Sequence, residues 1–279
     1  VTICVESKER TWELMIYPVV GGFRMISGKK GFFDGQPEAF SVEESEHAYI
    51  IRSKEHEMIL QKETLEISID RKAITNLKNI SFIFEKESVS ASRIQFSIHE
   101  NSAIYGFGER FDSVNQYGKT VALWQRDACE GCLASIGNQA YKNIPLVHTS
   151  DGFSFFANTS YRMRMDVGDA VQDYLSVEAL GDVFDFYIWS GTPREAMTAY
   201  GTLTGLPIFP PEWVFEPWAG GGGGRWRNGP LQDIALEQMA AMKKFHELDI
   251  PHSGFYAEGA GATLSLIHIS EPTRLRCIS

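Results

Sequence analysis

In Leu65-Glu66-Ile67-Ser68-Ile69-Asp70 an apolar residue stands at every second position, with polar residues between. Ile94-Gln95-Phe96-Ser97-Ile98-His99 repeats the pattern, Met163 and Met165 alternate with Arg162, Arg164 and Asp166, and Phe184, Phe186 and Ile188 share one face of a further run. A period of two is the signature of a β-strand. One apolar face per strand is what antiparallel sheets packed on one side show. The turn pairs Gly21-Gly22, Asp34-Gly35, Asp151-Gly152 and Gly181-Asp182 separate the runs. Many short strands at this spacing predict a large antiparallel β-sandwich over residues 1–206.

The 279 residues correspond to roughly two domains. The formal charge of −10 opposes a polyanionic partner, so nucleic acid is excluded as a ligand. With 43% apolar residues the composition is globular, and no apolar run approaches the ~20 residues a membrane helix needs. The cysteines are Cys4, Cys129, Cys132 and Cys277, and Cys129-Glu130-Gly131-Cys132 is a lone CxxC without the second ligand pair of a structural zinc site. The seven histidines show no metal-ligand spacing. No metal and no cofactor is expected. Val1 stands in place of an initiator Met, and Val1–Val5 already reads as strand, so further sequence is expected ahead of it.

The texture changes after Trp189. Thr192-Pro193-Arg194-Glu195 is a helix start, with Thr192 as N-cap, proline at the first helical position and Glu195 closing a capping box. That helix is expected to end near Gly205, and Pro207, Pro210 and Pro211 then form a stiff boundary. Trp213–Trp218 reads as a short buried strand, Gly220–Gly224 as a pliable loop, and Asn228-Gly229-Pro230 opens a second helix. Leu231, Ile234, Ala235, Met239, Met242 and Phe245 fall on one face of it, Asp249-Ile250-Pro251 stops it, and Ser253–Ala257 begins another strand. Strand, helix, strand is the first unit of a parallel α/β fold over residues 207–262. The glycine run has no following Lys and is not a phosphate loop. Thr263–Ser279 continues neither pattern, resembles translated sequencing-adapter DNA, and is expected to be a non-native tail that packs poorly.

Three segments resemble glycoside hydrolase family 31, the retaining α-glucosidase and α-xylosidase family. They are Tyr105-Gly106-Phe107-Gly108-Glu109-Arg110-Phe111; Leu123-Trp124-Gln125-Arg126-Asp127 followed by Gln139-Ala140-Tyr141-Lys142-Asn143-Ile144-Pro145; and Gly191-Thr192-Pro193-Arg194-Glu195 with Tyr200, Leu203-Thr204-Gly205 and Pro210-Pro211-Glu212-Trp213. Their order and spacing match over roughly residues 95–260.

The resemblance implies a galactose-mutarotase-like sandwich followed by the start of a (β/α)8 catalytic barrel, which needs about 250 residues. Only 279 − 211 = 68 follow Pro211, so the chain is expected to be an N-terminal fragment with its catalytic residues downstream. The segment around Trp124–Tyr141 would then reach the active-site mouth, with Arg126 and Asp127 touching sugar hydroxyls. Glu258 would end a barrel strand where the family commonly carries an aspartate that holds the non-reducing sugar, although Tyr256 and Glu258 depart from its D-x-D. Trp218, at the end of the preceding strand, would stack on a sugar face. The implied partner is an oligosaccharide or α-glycoside, with self-association left open. The alternatives are an α-transglucosylase of the same family and a non-catalytic carbohydrate-binding sandwich.

Overall fold

The computed structural model describes residues 2–6, 11–27, 37–85, 88–125, 140–182, 184–222 and 231–258. The chain divides into two units, Val1–Leu206 and Pro207–Ser279. In the first, the strands are β1 (Thr2–Glu6), β2 (Thr11–Val19), β3 (Gly22–Ser27), β4 (Ser41–Glu44), β5 (Ala48–Arg52), β6 (Glu57–Gln61), β7 (Glu66–Ile69) and β8 (Lys72–Glu85). They continue with β9 (Ser88–Ser97), β10 (Ile104–Gly108), β11 (Lys119–Leu123), β12 (Asn143–Thr149), β13 (Phe153–Ala157), β14 (Met163–Val167), β15 (Tyr174–Leu180) and β16 (Phe184–Ser190). One sheet runs β1-β2-β3-β16-β13-β12-β10 and the other β11-β14-β15-β9-β8-β7-β6-β5-β4. Every strand pairing within both sheets is antiparallel, as the alternation predicts.

The alternating residues land where their period sends them. Ile67, Ile69, Ile94, Phe96, Met163 and Met165 are all withdrawn from water. Leu65 is the exception: it sits left-handed at φ 62° just ahead of β7 and is not part of the strand. Gly21, Gly152 and Gly181 take positive φ at the hairpin turns, while Asp34-Gly35 lies outside the described residues. Between the sheets, Phe96 of β9 stacks on Phe155 of β13 at 4.3 Å and meets Phe186 of β16 edge-on at 6.0 Å. Burying one such ring contributes up to about 3 kcal/mol, and each well-placed aromatic pair adds about 1 kcal/mol.

Helix α1 (Pro193–Thr204) follows β16 with the expected cap. The Thr192 N–H donates to Glu195 Oε2 at 2.7 Å, the Glu195 N–H returns to Thr192 Oγ1, and Gly205 closes the helix at φ 87°. Its Ala196 and Ala199 pack on Leu146, Tyr187 and Trp189, forming a second, smaller core on the outer face of the seven-stranded sheet. Phe184, Phe186 and Ile188 share one face as read, facing the main core, but the opposite face of β16 is buried too, with α1 covering Tyr187 and Trp189.

In the second unit, β17 (Trp218–Gly222) and β18 (Gly254–Glu258) pair in parallel, with α2 (Leu231–Glu247) between them in sequence. The strand expected at Trp213–Trp218 is a 3-10 turn over Glu212–Phe215, and Trp213 and Phe215 are exposed. Pro211 presets the turn's entry and Pro217 has no N–H to give to a ladder, so pairing starts only at Trp218 and takes in Gly220–Gly222. The tail at 263–279 lies outside the described residues. Among the described residues no helix is long and apolar enough to cross a membrane.

Phe96→Ala should lower the unfolding free energy by about 4 kcal/mol through the cavity it leaves between the sheets. Ile83→Ala, at a side chain 46% exposed, should change it by less than about 0.5 kcal/mol. Urea denaturation of both variants measures the contrast.

Candidate functional site

The site is built from a distortion at the end of β10. Gly106, Phe107 and Gly108 are consecutively left-handed, at φ 112°, 68° and 85°, and the β10–β12 register shifts between the two glycines. A Cβ on Gly106 would collide with the Leu146 carbonyl and one on Gly108 with that of Lys142. Glycine is thus required by close backbone approach as well as by φ. Phe107 between them is fully buried in the main core and pins the bulge.

The bulge aims the following residues at the two roots of the segment 126–139. The Glu109 N–H donates to the Lys142 carbonyl at 2.9 Å. Arg110 Nη2 donates to the Ala122 carbonyl at 3.2 Å, beside the end of β11, and to Asn143 Oδ1 at 2.6 Å, where β12 starts. Asn143 Nδ2 donates onward to the Ala140 carbonyl at 3.1 Å, and Ala140 bridges Gln125. One guanidinium therefore ties the outgoing and returning chain together. Its Nε and Nη1 are buried without a partner among the described residues, and burial pushes the Arg110 pKa down, with Asp112 opposing only in part. Asp112 is itself held at a pKa of about 2: burial would raise it, but hydrogen bonds from Lys119, Gln116 and the Ser113 backbone outweigh that.

Beside the roots opens a cleft of about 350 Å³, lined by Trp124, Gln125, Asn143, Thr159, Ser160 and Tyr161 among others. The Trp124 side chain is 53% exposed. Aromatic faces beside amides and hydroxyls can hold a ring of alternating CH and OH groups. Among the described residues no carboxylate lines this cleft; its polar lining there consists of amides and hydroxyls.

Of the residues expected to contact sugar, Trp218 and Glu258 stand at opposite ends of the β17–β18 pair. Arg126 and Asp127 lie outside the described residues. Glu258 ends β18 opposite Gly222, while Trp218 starts β17 opposite Gly254. Trp218 is thus at the N-terminal end of its strand and not, as expected, at its end. Four residues of strand, about 13 Å, separate the two levels. Its indole packs beside Trp213 at 5.5 Å and donates Nε1–H to the Val214 carbonyl at 3.2 Å, contacts that belong to the turn. The strand shift noted above is the cause. Arg110 and Asn143 stood inside recognised segments without an assigned role, and Tyr161 carried no sequence signal. Among the described residues no group of three or more metal-ligating side chains assembles.

The bulge, the roots and the cleft are formed by the first two of the three segments and their neighbours, and the comparisons point to the same family. The model of the glycosyl hydrolase 31 N-terminal galactose mutarotase-like domain matches residues 6–166, and the chain belongs to that family. The α-xylosidase XylQ of Lactiplantibacillus pentosus is 34% identical over 131 residues, 47% of this chain and 16% of the relative. Alpha-glucosidase 2 of Bacillus thermoamyloliquefaciens is 25% identical over 226 residues, 78% of this chain and 27% of the relative. This chain thus spans only a sixth to a quarter of those relatives' length. In fold it is similar to the cycloalternan-forming enzyme from Listeria monocytogenes, with a TM-score of 0.76 at 18% identity over 92% of this chain and 25% of that one. The GH31 dextranase of Flavobacterium johnsoniae gives 0.71 at 20% identity over 92% of this chain and 33% of that one.

Because the folded pKa of Asp112 lies below its unfolded value near 3.9, its ionised form stabilises the fold above about pH 4, and that contribution fades as pH falls toward 2. The gap in thermal midpoint between the wild type and Asp112→Asn should be widest above pH 4 and close by about pH 2. Melting curves across that range measure it.

Proposed function

We propose that this chain supplies the sandwich and the opening strand–helix–strand of a retaining α-glycoside hydrolase whose (β/α)8 barrel continues beyond it. The observation that carries the reading is the convergence of two of the family segments, Tyr105–Phe111 and Leu123–Pro145, on the roots of 126–139. A fold that devotes two left-handed glycines and a half-buried, partly unpaired arginine to one loop is holding that loop for a purpose outside the sandwich. In this reading Arg126 and Asp127 meet sugar hydroxyls. Glu258 is likewise assigned a sugar contact, since active sites of such barrels form at the C-terminal ends of the strands. The substrate class is α-linked glucosides or xylosides, after the names of the relatives.

Retention needs two carboxylates about 5 Å apart, one attacking the anomeric carbon and the other protonating the leaving oxygen. Among the described residues the cleft supplies neither. We place both on barrel strands after β18, outside this chain, and assign the chain substrate contacts but no chemical step.

The purified chain should therefore not hydrolyse aryl α-glucosides or α-xylosides, with a full-length relative as positive control. Turnover comparable to that control would overturn the assignment. In the protein extended by its downstream coding sequence, Glu258→Ala should lower kcat/KM by about 10- to 100-fold, the loss of one or two hydrogen bonds to a sugar. An unchanged kcat/KM would remove Glu258 from the site.

A further inference from the structure

The outer face of the seven-stranded sheet holds a feature that the loop roots do not use. Between α1 and the start of β12 lies a groove of about 1090 Å³, and two charged residues with almost no exposure line it: Arg24 of β3 at 5% and Asp185 of β16 at 4%. They form a bidentate pair, Nε to Oδ1 at 2.8 Å and Nη2 to Oδ2 at 2.7 Å. Arg24 Nη1 donates to the Tyr17 hydroxyl at 2.8 Å, and Asn158 Nδ2 donates to Asp185 Oδ2 at 2.7 Å. These contacts take three of the five guanidinium N–H groups.

Stability does not explain this pair. A buried ion pair replaced by apolar residues of similar volume is often neutral or more stable. What it provides is a planar, net-neutral array of donors and acceptors at the base of an open groove. Around it stand aromatic rings. Tyr187 lies under the guanidinium at 4.8 Å, Phe156 meets Tyr200 edge-on at 5.1 Å, and Tyr161 rests one face of its ring on Gly181 while remaining 46% exposed.

We propose that this groove is a second, non-catalytic binding site for a neutral oligosaccharide, with Asp185, Arg24 and Asn158 taking sugar hydroxyls and Tyr161 taking a sugar face. The charges argue for that class. Arg24 is neutralised by Asp185, and Asp182 adds a negative charge to the lining, which disfavours phosphate or a carboxylated ligand. A lipid would leave the pair's remaining donors and acceptors without partners. Alternating CH and OH groups satisfy both the rings and the planar array. Asn143, Pro145, Thr159, Ser160 and Tyr161 line this groove and the Trp124 cleft alike, so a chain of sugars can run from one to the other. The choice of α-linked sugars rests on the function proposed above; the site itself does not.

The test is isothermal titration of the purified chain with maltotriose, isomaltotriose and an α-xylosyl disaccharide, folding being checked by circular dichroism. At least one should bind in the millimolar range. Asn158→Ala and Tyr161→Ala should each weaken it about tenfold, the loss of one hydrogen bond or one stacking face. Asn158 lines only the groove and Trp124 only the cleft, so Trp124→Ala should change affinity by less than about threefold. No binding of any probe, binding indifferent to Asn158→Ala, or binding abolished by Trp124→Ala alone would each overturn the groove. None of these outcomes bears on the glycosidase assay of the chain, so the two readings fail separately.

Discussion

All seven residues of β16 are withdrawn from water, and both faces of that strand are put to use. Phe184, Phe186 and Ile188 point between the sheets, where Phe96, Phe153 and Phe155 fill the space. Asp185, Tyr187 and Trp189 point the other way, and each demands something different of the outer layer. Trp189 needs a cover and an acceptor; α1 supplies the first and the Val20 carbonyl, at 3.1 Å, the second. Asp185 needs a cation and finds Arg24, its diagonal neighbour on β3. The position of α1, the smaller core and the groove all follow from a central strand that has no solvent face.

The sandwich was legible because its strands obey one rule. Where one face is buried, a period of two settles the face of every residue, and Ile67, Phe96 and Met165 all obey it. The rule fails where a second layer exists. Nothing in Phe184–Ser190 distinguishes a tyrosine or tryptophan facing water from one facing a helix, since both residues carry a polar tip on an apolar body. The helix itself was legible to its caps, because Thr192, Pro193 and Glu195 act through contacts with their nearest neighbours in sequence. Around β17 local chemistry misled. The apolar run Trp213–Trp218 has strand composition, but Pro211 and Pro217 govern backbone hydrogen bonding there, and the glycines that look like a loop are extended by their parallel partner.

The candidate site was legible as segments and illegible as geometry. Tyr105–Phe111 and Ala140–Pro145 could be recognised, yet their meaning lies in a contact between two backbones more than thirty residues apart. Spacing along the chain does not report such an approach. Only the pair of glycines hints at it, and glycine pairs occur in ordinary turns as well, as Gly21-Gly22 does here.

The same contrast separates the two polar clusters of the sandwich. Arg24 is a satisfied charge: burial opposes it, but the hydrogen bonds and charge of Asp185 outweigh burial and hold its pKa above the usual range. Arg110 is not satisfied. Among the described residues no carboxylate contacts it, burial pushes its pKa down, and two of its three nitrogens have no partner. An uncompensated guanidinium is tolerated only where the surrounding backbone is held firmly enough to carry it. Fully buried Phe107 and the β10–β12 bulge provide that hold. The loop roots therefore concentrate strain, with three consecutive left-handed residues beside a half-satisfied guanidinium, and strain of this kind collects at functional sites.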